Sequence, residues 1–279
     1  MMAPVALTDD LLAEWDLRVD GAPMRGRTAV VTPVLTADDV PAVLKVSTRS
    51  LVPRGLLNHQ VVVPHPEAEH EHLALKRWAG DGAVELLRAD PGRWALLLER
   101  LEYRDLREEW DVAACEVVGD LYRRLHVPAL PQLRTLSSSV ARWAEELARA
   151  EVAMPPRLVQ QAMSIARDLA GDPATDGTLI HTDLHYENVL AAEREPWLAI
   201  DPKPMSGDPH YEVAPLLWNR FDELAGDVRR GTRARFHAVV DAAGLDEDRA
   251  RDWVVLRMVV AADDLDPTRC VAIAKAVQD

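Results

Sequence analysis

Cysteine is nearly absent from this chain of 279 residues, with only Cys115 and Cys270, far apart in segments of helical periodicity. That excludes a disulfide framework and predicts two reduced, buried thiols in a cytoplasmic protein. Long hydrophobic runs are missing as well. No stretch of 18 apolar residues occurs, so no helix that spans a membrane is expected. The opening Met-Met-Ala-Pro-Val-Ala-Leu-Thr-Asp-Asp lacks the charged and apolar regions of a secretory signal. Neither an internal repeat nor a low-complexity tract is present. Positive charge is in deficit, 32 basic residues against 46 acidic ones, a net charge of -14. This balance argues against nucleic acid as a partner, because such binding neutralises phosphates with Lys and Arg. It suits a cationic small molecule, which an acidic cleft attracts over distance, and it also serves solubility alone. Length permits one or two domains with a substantial core.

Glycine is sparse where a phosphate-binding loop would need it. Gly21 and Gly26, in Asp20-Gly-Ala-Pro-Met-Arg-Gly26, make no G-x-G-x-x-G. Lysine is sparser still, with four among the 32 basic residues: Lys45, Lys76, Lys203 and Lys275. Lys45 stands inside the strand-like run Val40-Pro-Ala-Val-Leu-Lys45-Val-Ser47. A compact ammonium there suits the phosphates of a nucleotide. The competing reading is a strand-edge lysine that guards against aggregation.

What the chain does have is concentrated in His181-Thr-Asp183-Leu-His185-Tyr-Glu-Asn188, followed by Ile200-Asp201-Pro202. An acid, an amide and a second acid at the end of an apolar run are the inventory of phosphoryl transfer. One carboxylate accepts the proton of the attacking hydroxyl, and the amide oxygen and the other carboxylate hold Mg2+ on ATP. Asp183 fits the base, and Asn188 and Asp201 the metal ligands. The segments 188–192 and 197–201 read as short strands joined by the turn Glu193-Arg-Glu-Pro196. Such a hairpin returns Asp201 to the side of Asn188. The same letters also permit His181, Asp183 and His185 to ligate a transition metal from a loop. Lys203 either adds positive charge near the phosphates or points outward as a surface lysine.

With these residues the chain resembles the aminoglycoside phosphotransferase family. The stretches Leu184–Pro202 and Gly207-Asp-Pro209 are similar to its streptomycin 6-kinase and hydroxyurea phosphotransferase branch. The resemblance runs from about Trp15 to Arg257 and is most specific between His181 and Pro209. It implies an α+β, protein-kinase-like bilobal fold, with a small β-rich amino lobe (residues 1–101) and a larger helical carboxyl lobe (residues 102–279). It implies ATP and Mg2+ as cofactors and a small-molecule hydroxyl acceptor, with a monomer or homodimer as the assembly. Glu71, on the helix expected over Glu67–Trp78, becomes the partner of Lys45, with Glu67 the runner-up. Ala95-Leu-Leu-Leu-Glu99-Arg-Leu101 resembles the strand that links kinase lobes, its backbone from Glu99 to Leu101 pairing with adenine. His181 supports the loop through hydrogen bonds, and Asp208 braces it. A streptomycin-like acceptor carries guanidinium groups that carboxylates bind, and Glu187, Glu212, Asp222, Glu223, Asp263 and Asp264 are the candidate acids. A kinase for hydroxyurea or another metabolite, and a silent nucleotide-binding protein, are the alternatives.

Elsewhere, strands are expected over Arg27–Leu35, Pro41–Ser47, Val84–Arg88 and Trp94–Arg100, and a short helix near Asp9–Trp15. The segment Thr48–Val63 lengthens the link after Lys45 and contains Leu51-Val-Pro-Arg-Gly55, a string cut by trypsin-like clotting proteases. It is read as a loop without chemistry, native or engineered. Helices are expected over Asp111–His126, Gln132–Ala150, Pro156–Ala170, His210–Leu224, Asp227–Ala243, Asp246–Val260 and Thr268–Val277. Val259–Pro267 is shorter than this branch leads one to expect. Arg229, Arg230, Arg233 and Arg235 read as a solvated helix face.

Overall fold

The computed structural model describes residues 4–26, 28–47, 49–54, 59–64, 69–149 and 152–278. The chain divides into two units, Met1–Glu102 and Tyr103–Asp279.

The first unit is built on an antiparallel sheet of β1 (Arg18–Val19), β2 (Met24–Arg25), β3 (Ala29–Leu35), β4 (Pro41–Ser47), β7 (Leu86–Asp90) and β8 (Ala95–Glu99). Its order is β1-β3-β4-β8-β7, with β2 also on β3. Residues two apart along a strand share a face. Ala42, Leu44 and Val46 of β4 therefore point one way, and they pack in the hydrophobic core with Leu11 of α1 (Pro4–Glu14) and with Trp15 just after it. Lys45 lies in the central strand, opposite Val31 on one side and Leu96 on the other. Alternation turns it to the face away from Leu44 and Val46.

The helix α2 (Glu71–Trp78) buries Glu71, Ala74, Leu75 and Trp78, an i, i+3, i+4, i+7 stripe. Lys76 and Arg77 in its last turn complement the helix dipole. Glu67 lies outside the described residues. The expected loop after Lys45 is instead a two-stranded ribbon, β5 (Arg49–Arg54) and β6 (His59–Pro64), with Leu51 opposite Val62. Val52, Val61, Val62 and Val63 are strong strand formers, and Pro53 is tolerated because each strand of a ribbon has an open edge. Gly55 lies outside the described residues.

The second unit holds α3 (Asp111–Leu125), α4 (Leu136–Leu147), α5 (Pro156–Gly171), α6 (Ala214–Trp218), α7 (Val228–Ala243), α8 (Glu247–Val260) and α9 (Pro267–Ala276). α3 packs on α7, α4 on α5, α5 on α8, and α7 on α9. Gly119 lets α3 and α7 approach closely: a Cβ there would stand 2.5 Å from the Ala242 Cβ.

The expected single helix over His210–Leu224 is broken. A 3-10 turn (Pro209–Val213) leads into α6, and a second 3-10 turn (Phe221–Leu224) follows Arg220, whose φ is 54°. A continuous helix would bury Pro215 in its interior, where it lacks the N–H and clashes with the preceding turn; at the start of α6 it costs nothing. Arg235 is not on a solvated face. It is fully buried, donating to Asp111 Oδ2 at 2.9 Å, the Asn219 carbonyl at 2.9 Å and the Arg220 carbonyl at 3.1 Å. It thus satisfies carbonyls left unpaired where α6 ends.

Two short ladders complete the unit. β9 (Thr178–Ile180) pairs with β12 (Met205–Gly207), and β10 (Val189–Leu190) pairs with β11 (Leu198–Ala199). The first ladder closes the base of one long excursion, residues 181–204, and the second pinches its middle. Gly207 lies so close to Ile180 that a Cβ would meet its Cδ1 at 2.3 Å.

Candidate active site

The excursion between β9 and β12 carries Asp183, Asn188 and Asp201. The β10–β11 register aligns Val189 with Ala199, and the Ile200 N–H donates to the Asn188 carbonyl at 2.9 Å. The hairpin thus places Asn188 opposite Ile200, beside Asp201, as the strand–turn–strand spacing predicts. The Asn188 Nδ2 donates to the Asp183 carbonyl at 2.8 Å and lies 3.2 Å from His185 Nε2. With Nδ2 so engaged, Oδ1 is the amide atom left to face a cation. A hard oxygen set of this kind, one amide and one carboxylate, suits Mg2+.

His181 is fully buried at the end of β9. Its Nε2 donates to the Ile200 carbonyl at 2.9 Å, and its Nδ1 accepts the Asp183 N–H at 3.3 Å. Burial lowers its pKa, so the neutral ring acts as a spacer between the two halves of the excursion. His185 Nδ1 accepts the Glu187 N–H at 3.3 Å, and burial lowers this histidine's pKa as well. Both His181 nitrogens are engaged, and no cluster of three metal-binding side chains occurs among the described residues. The His-x-Asp-x-His reading as a transition-metal site is therefore set aside.

Lys203 is the residue whose place the sequence left open. Its backbone N–H donates to the His181 carbonyl at 2.9 Å, and its carbonyl accepts from Thr182 Oγ1 at 2.7 Å. Its ammonium is ion-paired with Asp183 Oδ2 and stands 3.5 Å from Asp201 Oδ2. It points inward, between the two acids.

Glu212 corrects an expectation. It is buried, accepting the Thr182 N–H on Oε1 at 2.6 Å and facing His126 Nε2 from Oε2 at 2.8 Å. It braces the excursion and does not face an acceptor. Thr182 sits at a φ of 68°, a conformation its β-branched side chain resists. No local signal marks Glu212, because its partners are 30 and 86 residues away.

Asp208 has its own brace. Its carboxylate accepts from Trp253 Nε1 at 2.6 Å and Arg249 Nε at 2.6 Å, and it meets His210 Nδ1 at 2.5 Å. Burial pushes its pKa up, but the hydrogen bonds from His210 and Trp253 outweigh that and hold it below the usual value. Of the other acids named from sequence, Glu187 pairs with Arg107 at 2.6 Å, Glu223 with Arg220 at 2.7 Å, and Asp222 with Arg269 at 2.7 Å. Asp264 is exposed. The side chain of Asp263 lies outside the described residues.

In the first unit Lys45 Nζ donates to Glu71 Oε1 at 2.7 Å, both side chains being buried. Glu99 closes β8, its N–H donating to the Glu85 carbonyl at 3.0 Å and its Oε1 accepting the Glu85 N–H at 2.9 Å. Leu101 follows outside the strand.

Solved structures carry the same architecture. A thermostable mutant of the aminoglycoside phosphotransferase APH(4)-Ia, in a ternary complex with ADP and hygromycin B, superposes with a TM-score of 0.54 at 17% identity. That match covers 96% of this chain and 97% of that one, and it fixes the fold as protein-kinase-like. Residues 14–266 match the family described as aminoglycoside/hydroxyurea antibiotic resistance kinase, and the chain belongs to that family. A streptomycin 6-kinase of Streptomyces glaucescens is 38% identical over 91% of this chain and 80% of its own. A hydroxyurea phosphotransferase of Kitasatospora aureofaciens is 39% identical over 90% of this chain and 69% of its own. The protein is accordingly a phosphotransferase that acts on hydroxyl groups.

Proposed function

We propose that this enzyme transfers the γ-phosphoryl group of ATP to a hydroxyl of streptomycin or a closely related aminoglycoside. The single observation that carries the reading is the convergence of Asp183, Asn188, Asp201 and Lys203 on one excursion. Identity to streptomycin 6-kinase over most of both chains supports the acceptor. Asp183 orients the acceptor hydroxyl and takes its proton as the oxygen bonds to the γ-phosphorus and ADP departs. Asn188 and Asp201 hold Mg2+, which supplies charge neutralisation on the nucleotide when bound. Lys45, positioned by Glu71, meets the α and β phosphates, and the backbone from Glu99 to Leu101 pairs with adenine. A cytoplasmic location, where ATP is abundant, accords with this chemistry. The second reading, hydroxyurea as acceptor, is favoured by the identity to hydroxyurea phosphotransferase.

The test is phosphoryl transfer from ATP and Mg2+ to a panel of streptomycin, other aminoglycosides and hydroxyurea, with the product read by mass. Streptomycin is expected to gain one phosphoryl group. Gain by hydroxyurea alone would replace the first reading with the second. Asp183→Ala is expected to lose at least ~10^2-fold in rate while still binding nucleotide. Equal rates in mutant and parent would overturn the assignment of the base.

A further inference from the structure

The excursion contains one cation between two acids that the proposed function gives separate tasks. Lys203 is anchored at both ends of its own backbone, to His181 through its N–H and to Thr182 through its carbonyl. Its side chain is only 20% exposed. The ammonium is paired with Asp183 on Oδ2, while Asp183 Oδ1 stands 4.0 Å from His185 Nε2, and Asp201 Oδ2 lies 3.5 Å from the same ammonium. A fixed positive charge in that place spans from the proton-accepting carboxylate to the carboxylate that would hold the metal. The phosphoryl group must travel between those two positions, carrying negative charge on three oxygens.

We propose that Lys203 is a further catalytic residue, whose ammonium orients Asp183 and contacts the phosphoryl group in transit. The inference rests on the proposed function above. In the protein without nucleotide, the same ammonium neutralises Asp201, so that Mg2+ alone competes with a resident cation for that carboxylate. A preorganised charge aimed at a developing anion typically contributes about 10^2-fold or more in rate, because nothing has to reorganise during the reaction.

Two readouts on Lys203→Met test this, with Asp183→Ala run beside it. The first is the separation of kcat from nucleotide affinity. Lys203→Met should lose about 10^2-fold in kcat, while its Kd for ATP stays within about 3-fold of the parent. The second needs no turnover. Calorimetric titration with Mg2+ and no nucleotide should show tighter binding to Lys203→Met, by roughly 10-fold, because Asp201 has lost its competitor. Lys203→Arg keeps the charge but not the compact ammonium, and it serves the same comparison if the methionine variant does not fold; it should recover Mg2+ competition and only part of kcat. A kcat within about 3-fold of the parent, or an unchanged Mg2+ affinity, overturns the inference. Those results combined with an inactive Asp183→Ala leave the proposed function standing and remove Lys203 alone. Full activity in Asp183→Ala overturns the assignment on which the inference rests.

Discussion

Asp208 shows how a single buried carboxylate can hold a whole segment. It joins the start of the Pro209–Val213 turn to Trp253 and Arg249 of α8. Asn in its place would present an N–H to donors that need an acceptor. Asp208→Asn is therefore expected to lose about 3 kcal/mol of stability at neutral pH, measured by urea unfolding. The sign of its pH dependence follows from its folded-state pKa, which is lowered from 3.8. The stabilisation is fully present above that ordinary value and is lost as pH falls through the folded one. The parent should show a stability loss below pH 3.8 to which this group contributes, and the Asn variant should show a shallower one. Residues of this kind were legible in unequal degree. Asp208 could be read through the resemblance of Gly207-Asp-Pro209 to the family's loop-bracing acid. Glu212, an acid among many, could not, because an exposed and a buried glutamate look alike in sequence and its partners are remote. Arg235 is hidden for the same reason, since the arginines just before it, Arg229 and Arg230, are exposed.

Among the elements, those stated by local pattern were legible and those decided by contacts at a distance were not. The α2 stripe ends at Trp78 as its periodicity predicts, and the β10–β11 hairpin follows from two apolar runs around Glu193–Pro196. The β5–β6 ribbon is not legible in the sequence because Pro53 and Gly55 read as loop formers, and only pairing with the partner strand decides otherwise. The break at α6 is masked by apolar periodicity that continues across Pro215. Packing of α3 on α7 through Gly119 was also invisible, since a glycine inside a helix carries no mark of what approaches it. Gly119→Val is expected to cost about 2–3 kcal/mol, with a correspondingly lower Tm in calorimetry. The adjacent backbone, the Ala243 N and the Val239 carbonyl at 3.0 Å, cannot yield as a flexible side chain would. Turnover below the transition should remain near that of the parent, because no residue of the excursion is touched.

For the molecule as a whole, charge is the property with functional reach. A net charge of -14 draws a polycation toward the protein at distances that salt then shortens. The KM of a guanidinium-bearing aminoglycoside is expected to rise several-fold between about 50 and 300 mM NaCl. The KM of uncharged hydroxyurea should hardly move over the same range. Steady-state kinetics at several salt concentrations check both, and a flat profile for the aminoglycoside would show that net acidity serves solubility alone. The left-handed backbone at Thr182 and Asp201, with φ values of 68° and 56°, has a consequence on the same scale. Glycine would relax either position, yet the Thr182 hydroxyl ties the excursion to the Lys203 carbonyl, and Asp201 supplies an oxygen that glycine lacks. On the proposed mechanism, evolution toward greater heat resistance would find easy gains at these two positions, each at the expense of catalysis. Lineages under antibiotic pressure should keep the strain and seek their robustness elsewhere.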